Sequence, residues 1–106
     1  MNKNKITEEI VTKMSNLLFI AADETRLKIL LALLDCELSV GEIQTITGAS
    51  QSLVSHQLQV LKKNNLVSHR KKGNFVYYSL DDAHVNALLQ VAYDHVMEDN
   101  KNEGDL

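Results

Sequence analysis

A mainly α-helical domain with one small β-hairpin is predicted by three features of the 106-residue sequence. Apolar residues recur three and four positions apart over most of the chain, which is the period of amphipathic helices. One stretch, 66–80, breaks that period and places strand-favouring residues on both sides of Gly73-Asn74. The length suits one compact unit with a single modest core, and no internal repeat, linker or low-complexity segment divides it.

Residues 1–7 read as a polar tail. Residues 8–21 carry Ile10, Val11, Met14, Leu17, Leu18 and Ala21 on one face of a first helix. Asp23 is placed to cap a second helix over 24–36, with Leu27, Leu30, Leu31 and Leu34 as its buried stripe. Ser39 caps a short third helix, 40–47, which Gly48 ends by accepting a left-handed turn. Ser50 caps a fourth, 51–64, whose faces separate cleanly. Val54, Leu58 and Leu61 form its apolar stripe; Gln51, Ser52, Ser55, His56, Gln59 and Lys62 form the opposite, polar face. The hairpin pairs 66–72 with 75–80 across the two-residue turn. Asp81 is expected to cap the last helix, 82–99, and residues 100–106 read as a second polar tail.

The net charge of −3 conceals a strong asymmetry. From Ile43 to Leu80 there is no Asp or Glu, whereas five of the eleven basic residues, Lys62, Lys63, Arg70, Lys71 and Lys72, lie in that stretch. Local positive potential, not total charge, is what a phosphate backbone meets. Two helices joined at a glycine turn (40–64) and followed by a basic hairpin (66–80) make a winged helix-turn-helix. The second helix would enter the major groove of double-stranded DNA. Gln51, Ser52, Ser55 and His56 would reach base edges, Ser50 and Gln59 would belong to the same DNA-binding surface, and Lys62, Lys63, Arg70, Lys71 and Lys72 would contact the phosphates.

The last helix poses a separate geometric problem. His84 and His95 are eleven residues apart, three turns plus about 20°, so they share one face. They stand roughly 16 Å apart along the axis, too far for one ion with bonds of about 2.0–2.1 Å. An antiparallel copy of the same helix from a second protomer closes that gap and makes two equivalent sites about a two-fold axis. Val85, Leu88, Leu89, Ala92 and Val96 supply an apolar stripe for such a seam.

Four segments resemble the ArsR/SmtB family of metal-responsive transcriptional repressors. They are Ala22-Asp23-Glu24-Thr25-Arg26-Leu27-Lys28-Ile29-Leu30, then Glu37-Leu38-Ser39-Val40-Gly41-Glu42-Ile43. Ser50-Gln51-Ser52-Leu53-Val54-Ser55-His56-Gln57-Leu58 with Leu61 follows, and then Gly73 with Tyr77-Tyr78-Ser79-Leu80. Together they cover about 17–98. The resemblance implies a homodimer with its first and last helices at the interface. It further implies binding to an inverted-repeat operator without metal, release when metal binds, and control of metal efflux or transport genes. One family site uses a Glu-Leu-Cys-Val-Cys-Asp motif; here Ser39 and Gly41 stand at the two cysteine positions, so that thiolate site is absent. The other uses Asp-x-His, ten residues, then His-x-x-(His or Glu), which Asp82, His84, His95 and Glu98 match. Two imidazoles and two carboxylates suit Zn(II), with Co(II) as a surrogate. Asp82 is the ligand in geometric conflict: in an ideal helix it points about 200° away from His84.

Other classes fit less well. The longest uninterrupted apolar runs, 17–22 and 29–34, are six residues each, too short for a bilayer. The lone Cys36 makes no disulfide framework or cysteine-pair zinc module. These features point to a cytoplasmic protein with no membrane partner. A zinc metalloenzyme would need an open coordination position, and no HExxH, nucleophile or glycine-rich phosphate motif is present, so the chain reads as a non-enzyme. The remaining alternative is a regulator of the same fold answering another metal or signal.

Overall fold

The computed structural model describes residues 3–102, and of residue 3 and residues 99–102 only the backbone. After a 3-10 turn at Lys3–Lys5 come α1 (Glu8–Ala22), α2 (Glu24–Ala32), β1 (Leu38–Ser39) and α3 (Val40–Thr47). They are followed by α4 (Gln51–Lys63), β2 (Val67–Lys72), β3 (Phe75–Leu80) and α5 (Ala83–Asn102). Mainly helical with a small antiparallel sheet, this is the predicted winged helix-turn-helix class. The sheet has three strands, not two.

Each helix starts where a short polar side chain takes up an orphan N–H. Thr7 Oγ1 accepts from Ile10 N, Asp23 Oδ2 from Arg26 N and Ser50 Oγ from Leu53 N. Ser39 and Glu42 form a reciprocal capping box on α3. Asp23 is extended (φ −63°, ψ 132°), which separates α1 from α2 by a single residue. Gly48 closes α3 at φ 74°. Gly73 (φ 62°) takes the first place of the turn closed by the Lys72–Phe75 pair, as a two-residue hairpin requires.

Several expected boundaries and faces are corrected. α2 stops at Ala32, four residues short of 36, because Leu33 leaves helical geometry and Asp35 turns left-handed at φ 56°. The buried residues of that segment are Ile29, Leu30 and Leu33; Leu27, Leu31 and Leu34 are half-buried. The periodicity was in phase with a helix, but tertiary packing selected a neighbouring face. α4 ends at Lys63 with Asn64 as its C-cap. The first hairpin strand begins at Val67, not 66. The cap of α5 is Asp82, not Asp81: Asp82 Oδ1 accepts from Val85 N at 3.0 Å, while Asp81 N donates to Leu66 O. The helix therefore starts at Ala83, and it continues to Asn102, through the first part of the expected tail 100–106. The expected tail 1–7 contains the 3-10 turn; its first two residues, and residues 103–106, lie outside the described ones.

β1 has only two residues and no period to betray it. It pairs with β3 (Leu38↔Tyr78, Ser39↔Tyr77), and β3 pairs along its length with β2, giving the order β1-β3-β2. Among the described residues eleven side chains form the core: Ile29, Leu30, Leu33, Ile43, Val54, Leu58, Leu61, Leu66, Val67, Val85 and Leu89. Burying such a side chain contributes about 1.5–3 kcal/mol each before entropy is counted. α1 buries no residue fully. Of its apolar face, Leu17, Ile20 and Ala21 touch the core, while Ile10, Val11, Met14 and Leu18 stay exposed. No described helix is long and apolar enough to cross a membrane.

Candidate nucleic-acid interface and metal-ligand helix

α4 is held by Val54, Leu58 and Leu61, each essentially inaccessible to solvent, so its opposite face is presented outward. Gln51, Ser52, His56, Gln59 and Lys62 are exposed on that face and Ser55 is half-buried. Ser50 has a second duty: its hydroxyl oxygen accepts the Leu53 N–H at the helix cap, and its O–H can still donate elsewhere. Lys63 closes the last turn of α4, and Lys71 and Lys72 stand exposed near the hairpin tip.

Arg70, expected to face a phosphate, is engaged by an acid in the DNA-free chain. Its Nε and Nη2 donate to the two oxygens of Glu37 at 2.6 and 2.7 Å, a bidentate pair between β2 and the residue preceding β1. The hydrogen bond from Arg70 holds the Glu37 carboxyl below its ordinary range, and Glu37 in turn raises Arg70. The acid lies just outside the acid-free stretch, so the linear pattern gave no sign of this clamp. The sequence reading also missed Arg26. Its Nε donates to Ile20 O at 2.7 Å and its Nη1 to Gln57 Oε1 at 3.1 Å. One guanidinium thus joins the last turn of α1 to α4, and it engages the half-buried Gln57.

On α5, the geometric conflict at Asp82 disappears because Asp82 precedes the helix. One oxygen caps Val85 N; the other, Oδ2, lies 3.8 Å from His84 Nδ1. The edge of a tetrahedral site with bonds of 2.0–2.1 Å is about 3.3 Å, so a small rotation brings both atoms to ligand spacing. The His84 side chain is 98% exposed and Asp82 52%. The Val85 N–H, foremost, lowers the Asp82 carboxyl below its usual range, assisted by the His84 N–H and the imidazole. The shift favours the carboxylate, the form a metal needs. His95 and Glu98 are exposed further along the same helix. Among the described residues of one chain, no three His, Cys, Asp or Glu side chains converge on a common point. At the other family position, Ser39 is consumed by the α3 cap, and the exposed Cys36 bonds Ala32 O.

Comparison with known proteins agrees with this architecture. The family model described as "Bacterial regulatory protein, arsR family" matches residues 23–69, from the α2 cap into β2. The solved structure of HlyU from Vibrio cholerae superposes with a TM-score of 0.78 at 39% identity, covering 83% of this chain and 96% of that one.

The chain belongs to the arsR family.

The homodimeric winged helix-turn-helix DNA-binding domain of Mb0332 from Mycobacterium bovis, described as a possible ArsR-family transcriptional regulator, has a TM-score of 0.79 at 26% identity, covering 97% of this chain and 93% of that one. The cadmium resistance transcriptional regulatory protein CadC homolog of Staphylococcus aureus is 42% identical over 78 residues, 73% of this arsR-family chain. The chain spans 64% of the length of that CadC homolog. The matched window 23–69 contains Arg26, Gln57 and the exposed face of α4, and excludes α5 with its ligand candidates.

Proposed function

We propose that this chain is a metal-sensing transcriptional repressor. As a homodimer without metal it binds an operator inverted repeat, and Zn(II) shared between the two α5 helices releases it. Control of metal efflux or transport genes follows from the same reading. The observation that carries it is the approach of Asp82 Oδ2 to within 3.8 Å of His84 Nδ1 at the head of an exposed helix whose far end bears His95 and Glu98. Asp82 and His84 supply half of a tetrahedral donor set; His95 and Glu98 of an antiparallel α5 would supply the rest. The exposed apolar residues of α1 and α5, including Met14, Leu18, Val91 and Val96, give a second protomer a surface to cover. The homodimeric Mb0332 domain, with the same fold, supports that assembly.

The CadC relative is named for cadmium resistance. In this chain the thiolate positions hold Ser39 and Gly41, and the nitrogen and oxygen donors of α5 favour Zn(II), with Co(II) as surrogate. When bound, the ion would supply a redox-inert crosslink between two α5 helices. In the dimer, two α4 helices must reach major grooves about 34 Å apart. Gln51, Ser52, Ser55 and His56 face the bases, and Lys62, Lys63, Lys71 and Lys72 the backbone. Release requires that zinc favour a dimer form with the wrong α4 spacing. By linkage, operator DNA must then weaken zinc binding by the same factor.

A palindromic operator fragment titrated with and without Zn(II) tests the reading. His84→Ala and His95→Ala are expected to bind the operator and to lose release. Loss of operator binding in both would make the histidines structural. One observation favours a second reading: HlyU, 42% identical over 72 residues, is a transcriptional activator whose name carries no metal. Operator affinity indifferent to zinc and cobalt would select that reading.

A further inference from the structure

The head of α5 is joined to the DNA-facing part of the fold by one reciprocal side-chain clip. Asn86 Nδ2 donates to Asp35 Oδ1 at 2.9 Å, and Asp35 N donates to Asn86 Oδ1 at 3.1 Å, across 51 residues of sequence. Only the amide nitrogen can donate to a carboxylate and only the amide oxygen can accept from an N–H, so the pair has one orientation. Asp35 is one of two non-glycine residues with positive φ among the described residues, at 56°. That conformation is unfavourable for a residue with a side chain, though Asp tolerates it better than most. Here it places both the carboxylate and the backbone N–H of Asp35 against α5.

Both ends of the clip lead to functional elements. On one side, Asn86 N donates to Asp82 O, a hydrogen bond in the first turn of α5, and Asp82 approaches His84. On the other, Asp35 lies two residues before Glu37, whose carboxylate grips Arg70 of β2 with both oxygens. The next residues, Leu38 and Ser39, pair with β3, and Ser39 caps α3. A shift of the first turn of α5 therefore acts on the wing and on the start of the helix-turn-helix through this short segment, beside the direct chain connection from β3 through Asp81.

We propose that the Asp35–Asn86 clip couples the α5 ligand pair to the wing and α3, with both residues acting as positioning groups that touch neither metal nor DNA. The proposal rests on the metal-sensor reading above. It assigns the relay to the α2–β1 segment, and it makes coupling separable from both binding events.

The test uses the full chain and the variants Asn86→Ala and Asp35→Gly. Glycine keeps the left-handed backbone of residue 35 while removing the carboxylate. Three quantities are read: Zn(II) affinity by competition with a chromophoric chelator, operator affinity without metal, and operator affinity with saturating Zn(II). In the unaltered chain zinc is expected to weaken operator binding by about tenfold or more, within the usual range of allosteric coupling. Each variant should keep its zinc affinity and its metal-free operator affinity within about threefold, while the zinc-induced weakening falls to about twofold or less. The double variant should show no further loss, since either change alone breaks the same link. Release undiminished in both variants overturns the proposal. So does an equal loss of metal-free operator binding, because the clip would then only hold the fold. If zinc fails to weaken operator binding in the unaltered chain, the sensor reading itself falls and takes the clip proposal with it. That failure is recognised by its appearance without any substitution.

Discussion

The two oxygens of Asp82 have different neighbours: Oδ1 accepts the Val85 N–H at 3.0 Å, and Oδ2 faces His84 Nδ1 at 3.8 Å. A single carboxylate therefore starts α5 and completes a potential ligand pair with the histidine two positions later. Asparagine caps a helix as well as aspartate does, but its amide is a poor zinc ligand. Asp82→Asn is expected to leave the melting temperature nearly unchanged and to weaken Zn(II) binding by about tenfold or more. Asp82→Ala should lower both. Calorimetric melting beside a zinc competition titration checks the pair, and equal zinc affinity in the unaltered chain and Asp82→Asn would remove Asp82 from the ligand set.

The Glu37–Arg70 clamp should make the wing sensitive to acid. The folded-state pKa of Glu37 is depressed from its ordinary 4.5, chiefly by the hydrogen bond from Arg70. A depressed carboxyl contributes stability that is fully present above its unfolded pKa and is lost as pH falls through the folded value. Amide protection of β2 and β3 is therefore expected to be constant at neutral pH and to decline below about pH 4.5. Glu37→Gln should show the weaker protection at every pH and no such decline. Hydrogen exchange across the hairpin between pH 3.5 and 7 reads this out, and a parallel decline in Glu37→Gln would assign the acid response to another group.

The same clamp divides the basic residues of the hairpin. Lys71 and Lys72 are exposed, whereas Arg70 is engaged by an acid. Lys71→Ala and Lys72→Ala are each expected to reduce the slope of log affinity against log salt by about 0.9, the signature of one lost phosphate contact. Arg70→Ala should change that slope much less and act through wing order. A full loss of slope in Arg70→Ala would show that DNA outcompetes Glu37.

Arg26 spans α1 and α4 with hydrogen bonds of 2.7 Å to Ile20 O and 3.1 Å to Gln57 Oε1. Hydrogen bonds from a charged group typically contribute about 1.5–3 kcal/mol each, less for the solvent-accessible one. Arg26→Ala is expected to destabilise the chain by about 2–3 kcal/mol in urea unfolding. Gln57→Ala, which removes one neutral partner, should cost about 1 kcal/mol. Equal stability of Arg26→Ala and the unaltered chain would show that water replaces both contacts.

Local chemistry made much of this protein legible from its sequence alone. Ser39, Ser50, Gly48 and Asp23 marked helix ends because capping depends on the side chain and a few neighbouring N–H groups. Val54, Leu58 and Leu61 fall on one face by helical geometry, and they are buried together. The eleven-residue interval between His84 and His95 likewise follows from helical rise alone. The tertiary structure decided what depends on residues distant in sequence. It chose which apolar face of α2 is inward, and it drew Leu38–Ser39 into the sheet through pairing with a strand about forty residues later. It gave Arg70 to Glu37, tied Arg26 to Gln57, and joined Asp35 to Asn86. Each of these contacts is made by exposed or half-buried polar groups with many possible partners. Periodicity carries no information about such choices, because the partner is selected only when the core has brought the backbone segments together.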